Sequence, residues 1–391
     1  MYLRRLDTVF VTVRDRPSLD LSRTRTDCYA TMGYWNHLYA HARNRPPPQG
    51  IRGQARLDLA MNDCSNNFPY SVKRTPVHFS TVDDARLNGT WFAPDHPKFS
   101  PSALIVVLCG AGIPAKFYHR MANFLAERDA AVLTFDYRGI GESRENNIRT
   151  IQSGMESWAE FDVGAALREA MAKFPNMPLN VIAHSVSALL VGGTPLASRL
   201  SRLVFFGPHT GYWRDYGRRW RPLLYLTWHI FMPALTRIFG YFPGRVLKLG
   251  ENLPRRVALD WASRRQAALI ASPEGERRFR TLLSSFCNVR AETLALSISD
   301  DAFAPPEAAH RLLAMYSNLR VIHRVTSPAA FGRRRLGHLG FLRRPVGEFF
   351  WNQAAEWLIP TFRKTNMSHF GPCRFCEKFQ GANANTSSAT G

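Results

Sequence analysis

Between Leu179 and Leu190 the chain reads Leu-Asn-Val-Ile-Ala-His-Ser-Val-Ser-Ala-Leu-Leu, and no other stretch limits the possible folds so strongly. A short apolar run changes abruptly to small and polar residues, then resumes as a helix-compatible apolar segment. That is the pattern of a buried strand, a sharp turn and a helix, with Ser185 at the turn. A serine held there projects its hydroxyl from the carboxyl edge of a parallel sheet. So tight a turn demands small residues two before and two after the serine. Glycine is usual at both places; this chain has Ala183 and Ser187, and each added β-carbon brings some strain. Taken alone, the same pattern also describes an ordinary strand-to-helix turn whose serine caps the helix.

What separates the two readings lies farther along the chain. A serine hydroxyl is a poor nucleophile without a base, and the base needs an orienting carboxylate. In enzymes built on this turn the acid and then the histidine follow the serine, each after a later strand. Leu294 to Ser299 is a strand-like run ending in Asp300-Asp301-Ala-Phe-Ala-Pro-Pro. Arg335-Leu-Gly-His338-Leu-Gly-Phe-Leu-Arg343 then places a histidine in a glycine-flanked loop before the last helix. The order serine, acid, histidine is met.

The remaining pattern alternates short apolar strands with helices. Val77 to Ser80 and Gly89 to Phe92 read as a short strand pair, Ala103 to Cys109 as a buried strand, and Phe117 to Arg128 as a helix. Ala131 to Phe135 is the next strand, followed by a long amphipathic helix from Met155 to Phe174. After Ser185 come strands at Leu203 to Phe206, Leu294 to Ser299 and Arg320 to Val325, with helices at Pro306 to Tyr316 and Val346 to Leu358. This rhythm predicts an α/β fold with a mostly parallel sheet and helices on both faces. Residues 212–275 break it: they show no sheet strand, are rich in aromatics and Arg, and are cut by Pro and Gly into short helices. Between two core strands, such an insertion is expected to cap the carboxyl edge of the sheet. The competing expectation is an extra helical layer packed away from it. Residues 1–70, Arg- and Pro-rich with little periodicity, are expected to be a poorly ordered leader, 75–360 the domain, and 361–391 a poorly ordered tail.

Charge adds one observation. Fifty-one Lys and Arg against thirty Asp and Glu give a net of +21, which implies loose attraction to anionic surfaces. The arginines are scattered or paired and lack the interleaved aromatics of a nucleic-acid groove, so no specific nucleic-acid partner is expected. Six cysteines in 391 residues are too sparse for a disulfide framework. Cys373 and Cys376, with His369, fall one ligand short of a structural zinc site, and no metal is expected there. No secretory pattern is visible at Met1 to Phe10 and no apolar run is long enough to span a membrane, so the expectation is a cytoplasmic protein.

Three stretches together resemble predicted α/β-hydrolases of the serine-aminopeptidase-like and lysophospholipase-like group. One is Gly112-Ile-Pro-Ala-Lys-Phe-Tyr118 with Leu133-Thr-Phe-Asp-Tyr-Arg-Gly-Ile-Gly-Glu-Ser143. The second lies in the insertion: Gly211-Tyr-Trp213, Met232-Pro-Ala-Leu-Thr236, Gly240-Tyr-Phe-Pro-Gly244, and Leu253-Pro254 through Asp260-Trp261. The third is Asp300-Asp-Ala-Phe-Ala-Pro305 with Gly337-His-Leu-Gly-Phe341. The likeness spans about residues 75–360. It implies the α/β-hydrolase fold and a serine hydrolase, with departures at Ala183 and Ser187, where glycine is usual.

On this reading Ser185 is the nucleophile, His338 the general base and Asp301 the acid, chosen over Asp300 because it stands one step into the loop at the family's spacing to proline. Asp300 is expected to shape the turn. Backbone N–H groups of Val186 and Ala111 are the expected oxyanion donors. His184, Asp136, Arg138 and Asp162 are assigned structural roles, and Cys109 is assigned to inert packing. No metal, nicotinamide or flavin motif is present, so water is the only co-substrate expected beside a small-molecule ester, thioester or amide. The alternative is a non-catalytic α/β-hydrolase-fold binding module, because fold does not fix function.

Overall fold

A computed structural model describes residues 11–12, 71–96, 99–144, 147–263 and 284–360. The rest of the expected leader, the tail, residues 264–275 of the insertion, and Cys28, Cys64, His369, Cys373 and Cys376 lie outside the described residues.

The main-sheet strands in chain order are β1 (Val11–Thr12), β2 (Val72–Ser80), β3 (Arg86–Pro94), β4 (Ala103–Leu108), β5 (Ala130–Phe135), β6 (Leu179–His184) and β7 (Leu200–Phe206). A two-stranded sheet of β8 (Tyr241–Phe242) and β9 (Leu253–Pro254) follows, before the main sheet resumes with β10 (Glu292–Ile298) and β11 (Arg320–Thr326). The nine main strands lie in the order β1-β11-β10-β7-β6-β4-β5-β3-β2. From β5 through β11 neighbours are parallel; β1, β2 and β3 join antiparallel at the two edges. Since parallel strands need crossovers, helices must cover both faces, and both faces of each central strand must be apolar. The sequence of β4, Ala-Leu-Ile-Val-Val-Leu, meets that condition: Leu104, Val106 and Leu108 enter one apolar layer, and Ala103, Ile105 and Val107 enter the other. The first layer is closed by the helix Val163–Lys173 and the short helix Ser187–Gly192. The second is closed by the helices His119–Ala126 and Val346–Leu358, which bring Tyr118, Phe124, Phe350 and Trp351 against the sheet. Each fully buried side chain of this size is worth about 1.5–3 kcal/mol.

Three elements differ from expectation. β2 and β3 are nine-residue strands rather than a short pair. β2 is an edge strand exposed from Lys73 to Pro76, so it needs no apolar run, and an edge also tolerates Pro76. The long helix before β6 contains a π-helical turn, Trp158–Asp162, which sets Asp162 inward against Arg138. The insertion does contain strands, β8 and β9, which pair only with each other and are too short to leave a pattern.

Among its described residues the insertion between β7 and β10 also holds a continuous helical run of Arg221–Leu226, a π-turn Thr227–Phe231 and Met232–Phe239, then Arg255–Ala262 after β9. Its contacts fall on loops and helix starts that follow parallel strands, and on the helix Pro306–Ala314. Glu251 N–H donates to Gly112 O at 2.7 Å, beyond β4. The Tyr216 hydroxyl donates to Phe303 O at 2.6 Å, beyond β10. Arg311 Nε donates to both oxygens of Asp215 at 2.7 Å. Asp260 accepts from Met155 N–H at 2.9 Å, in the segment beyond β5.

Candidate active site

Ser185 follows β6 directly and has φ of +64°, a left-handed conformation that costs a non-glycine residue about 1–3 kcal/mol. The turn is held because Ser185 N–H donates to Phe206 O on β7 at 2.8 Å and Ser185 O accepts from Ala188 N–H at 3.2 Å. The two departures from glycine are both accommodated. Ala183 is buried in the first apolar layer. The Ser187 hydroxyl donates to Cys109 O at the end of β4 and meets the Tyr137 hydroxyl at 2.9 Å. Thus Ser187 ties the helix after the turn to the neighbouring strand, which a glycine could not do.

His338 and Asp301 come to this turn from β11 and β10. His338 Nε2 lies 2.9 Å from Ser185 Oγ, and His338 Nδ1 lies 2.7 Å from Asp301 Oδ2. The other Asp301 oxygen accepts from Phe303 N–H at 2.8 Å and Ala304 N–H at 2.9 Å. Burial pushes the Asp301 carboxyl up, but the charge and hydrogen bond of His338 and the two N–H donors outweigh it, so its pKa lies below the usual carboxylate value. An ionised Asp301 fixes Nδ1–H on His338 and leaves Nε2 to accept from Ser185. Asp300 points elsewhere: it accepts from Leu336 N–H at 2.9 Å and Gly337 N–H at 3.2 Å, clamping the loop just before His338. Gly207 passes the pair so closely that a β-carbon there would stand 3.2 Å from Asp301 Oδ2 and 3.4 Å from His338 Cε1.

His184 is fully buried and stacks on His338 with ring centroids 4.6 Å apart. Its Nδ1 is 2.7 Å from the Tyr118 hydroxyl and its Nε2 3.2 Å from His338 O. A carbonyl only accepts, so Nε2 carries the proton and Nδ1 accepts from Tyr118, whose oxygen in turn accepts from Gly110 N–H at 2.7 Å. Burial, then the neighbouring His338 charge, hold the His184 pKa well below its ordinary value, so it stays neutral. The Gly110-Ala111-Gly112 loop lies against the serine: a β-carbon on Gly110 would stand 3.3 Å from Ser185 Cβ. Val186 is buried at the start of the short helix and Ala111 is half-buried in that loop. Cys109 is buried, bonds Phe135 O at 3.4 Å, and its thiol pKa is raised by burial, so it remains protonated. Asp136 accepts from Ala115 N–H at 2.7 Å and Glu142 N–H at 3.0 Å, holding the loop after β5.

Sequence reasoning missed His209. It is buried three residues past the end of β7, and its Nε2 lies 2.9 Å from Ser185 Oγ. The serine has one proton, directed to His338, so His209 donates Nε2–H to the same oxygen. On its other side it meets the edge of Trp261 of the insertion at 5.6 Å. Its signal was positional: a loop leaving the strand beside the serine's strand must emerge near the serine.

This sheet, with Ser185 on a left-handed turn and Asp301 and His338 following it in chain order, is the α/β-hydrolase fold. More particularly, the family described as "Serine aminopeptidase, S33" matches residues 100–276. No curated protein sequence matches the chain. Among solved structures it is similar to an esterase from Pyrococcus furiosus, at 15% identity over 80% of this chain and 96% of that one, with a TM-score of 0.48. It is also similar to a cold-adapted esterase from an Arctic intertidal metagenomic library, at 12% identity over 74% and 95% of the two chains, with a TM-score of 0.42. A third is the acylaminoacyl peptidase of Pyrococcus horikoshii, at 13% identity over 74% and 42%, with a TM-score of 0.46.

Proposed function

We propose that the chain hydrolyses an ester, thioester or amide of an apolar acyl compound through an acyl-enzyme on Ser185. The observation that carries this reading is the unbroken chain from Asp301 through His338 to Ser185, at 2.7 and 2.9 Å. Ser185 Oγ attacks the acyl carbon while His338 Nε2 takes its proton, and Asp301 stabilises the imidazolium that results. The carbonyl oxygen becomes an oxyanion facing the N–H groups of Val186 and Ala111. As the tetrahedral intermediate collapses, His338 returns the proton to the leaving group. Water, deprotonated by the same histidine, then releases the acid and restores Ser185. The insertion supplies the apolar preference as a cap, with Trp261 and Trp228 in edge contact behind His209.

The test is covalent labelling of purified protein with a fluorophosphonate probe. Label is expected on Ser185 alone and is expected to vanish in Ser185→Ala, with turnover of an aryl ester falling by about 10⁶. A folded protein that never labels would favour the binding-module reading.

A further inference from the structure

The helical run Arg221–Leu226, Thr227–Phe231 and Met232–Phe239 is apolar on two opposite faces. One face, with Trp228, Met232, Pro233 and Thr236, is buried against the rest of the molecule. The other carries Leu223, Leu226, Ile230, Phe231 and Ile238, in consecutive steps of three, four, one and seven residues, and all are exposed; Phe231 is 56% and Ile238 75% accessible. A helix that is apolar all round belongs in a core or against a second apolar phase.

Charge identifies that phase. From Tyr216 to Gly250 the sequence contains Arg218, Arg219, Arg221, Arg237 and Lys248, besides Arg245, which pairs with Glu251 at 2.6 Å, and no Asp or Glu. Arg218, Arg219 and Arg237 are exposed, and the Arg219 guanidinium lies 4.9 Å from the ring of Trp220, itself half exposed. A symmetric contact between two copies of this chain would set these cations against themselves. An anionic lipid surface meets both demands, with acyl chains for the apolar stripe and headgroup charge for the arginines. No helix of the described residues is long and apolar enough to cross a membrane, so the run would lie in the interface plane. We propose that this face of the insertion docks the protein on anionic phospholipid bilayers. The inference is independent of the hydrolase reading, since it requires neither Ser185 nor turnover.

The experiment is flotation of the full chain with phosphatidylcholine vesicles, with and without phosphatidylglycerol. Binding is expected to the anionic vesicles and to weaken by about tenfold or more as salt shortens the Debye length from about 14 Å to about 4 Å. Leu223→Glu/Ile230→Glu/Phe231→Glu is expected to lower vesicle affinity by about 100-fold, through loss of the inserted stripe. Arg218→Gln/Arg219→Gln/Arg237→Gln should lower it by a similar factor while leaving the apolar face intact. The second variant decides the matter if the first fails to fold. Absence of binding by the parent protein, or unchanged binding by a folded Arg variant, would overturn the proposal. So would concentration-dependent dimerisation lost in the Leu223/Ile230/Phe231 variant without any vesicle binding, which would make the face a self-interface.

Discussion

The carboxyl edge of the sheet and the insertion above it are built on opposite terms. At the edge, the polar atoms around Ser185 are held in several directions at once: Asp301 accepts three hydrogen bonds, Asp300 two, and His184 is fixed at both nitrogens. The insertion meets the domain through scattered tethers, at Gly112, Phe303, Arg311 and Met155, and leaves one helix face uncovered. The difference separates two tasks. On the proposed function, preorganised groups at the edge would lower a barrier because they need not move, whereas an insertion that admits substrate would have to shift.

The largest effect is expected where that preorganisation is removed without disturbing shape. Asp301→Asn should lower kcat by about 10⁴, the size known for loss of an orienting carboxylate, with little change in thermal midpoint. Asp300→Asn keeps one acceptor for the Leu336–Gly337 clamp and should cost about tenfold, the worth of one hydrogen bond. If Asp300→Asn proved the more damaging in steady-state kinetics, the acid would have been assigned to the wrong neighbour. His209 stands on the boundary between the two regions, and a smaller effect is expected there. His209→Ala should reduce kcat/KM by about tenfold through loss of the N–H donated to Ser185, and His209→Gln, which keeps a donor, should recover most of it. Equal rates for all three proteins would reduce His209 to packing.

The smallest effect concerns the insertion's tether at Asp260. Burial, then the adjacent Glu156, push the Asp260 carboxyl up to about 7. A carboxyl whose folded pKa exceeds its unfolded value near 3.8 is protonated preferentially in the folded state. Its stabilisation is therefore complete below that unfolded value and is lost as pH rises through the folded one. Thermal stability should accordingly decline between about pH 4 and 7, with buried Asp136, Asp162 and Asp215, whose carboxyls are raised likewise, adding to the slope, and Asp260→Asn should remove only the Asp260 share. A parallel pH profile for the variant would show that the tether does not titrate in this range.

The edge of the sheet was largely legible in the sequence and the insertion much less so. Ser185, Asp301 and His338 stood out because each lies in a turn or loop after a strand-like run, in the order serine, acid, histidine. The central strands were visible for the same reason, since burial on both faces forces an uninterrupted apolar run such as Leu104 to Leu108. β2 was read short because an exposed edge imposes no such run. β8 and β9 are shorter than the period that would reveal them. His209 follows Gly207-Pro208 in what reads as any other loop, and only the adjacency of β6 and β7 gives it meaning. The role of Ser187 was likewise hidden, because its partners Cys109 and Tyr137 are distant in sequence.

The clamp made by Asp300 has a consequence for how much length the chain can gain. The loop from β11 to His338 runs through Arg333, Arg334 and Arg335, all exposed. Asp300 grips the backbone at Leu336 and Gly337, and His184 catches the carbonyl of His338. The histidine is therefore indexed from its own side of the loop rather than through the exposed arginines before Leu336. Extra residues inserted among those arginines should bulge into solvent and leave fluorophosphonate labelling unchanged. A single residue inserted between Gly337 and His338 would shift the ring out of step with both Asp301 and Ser185.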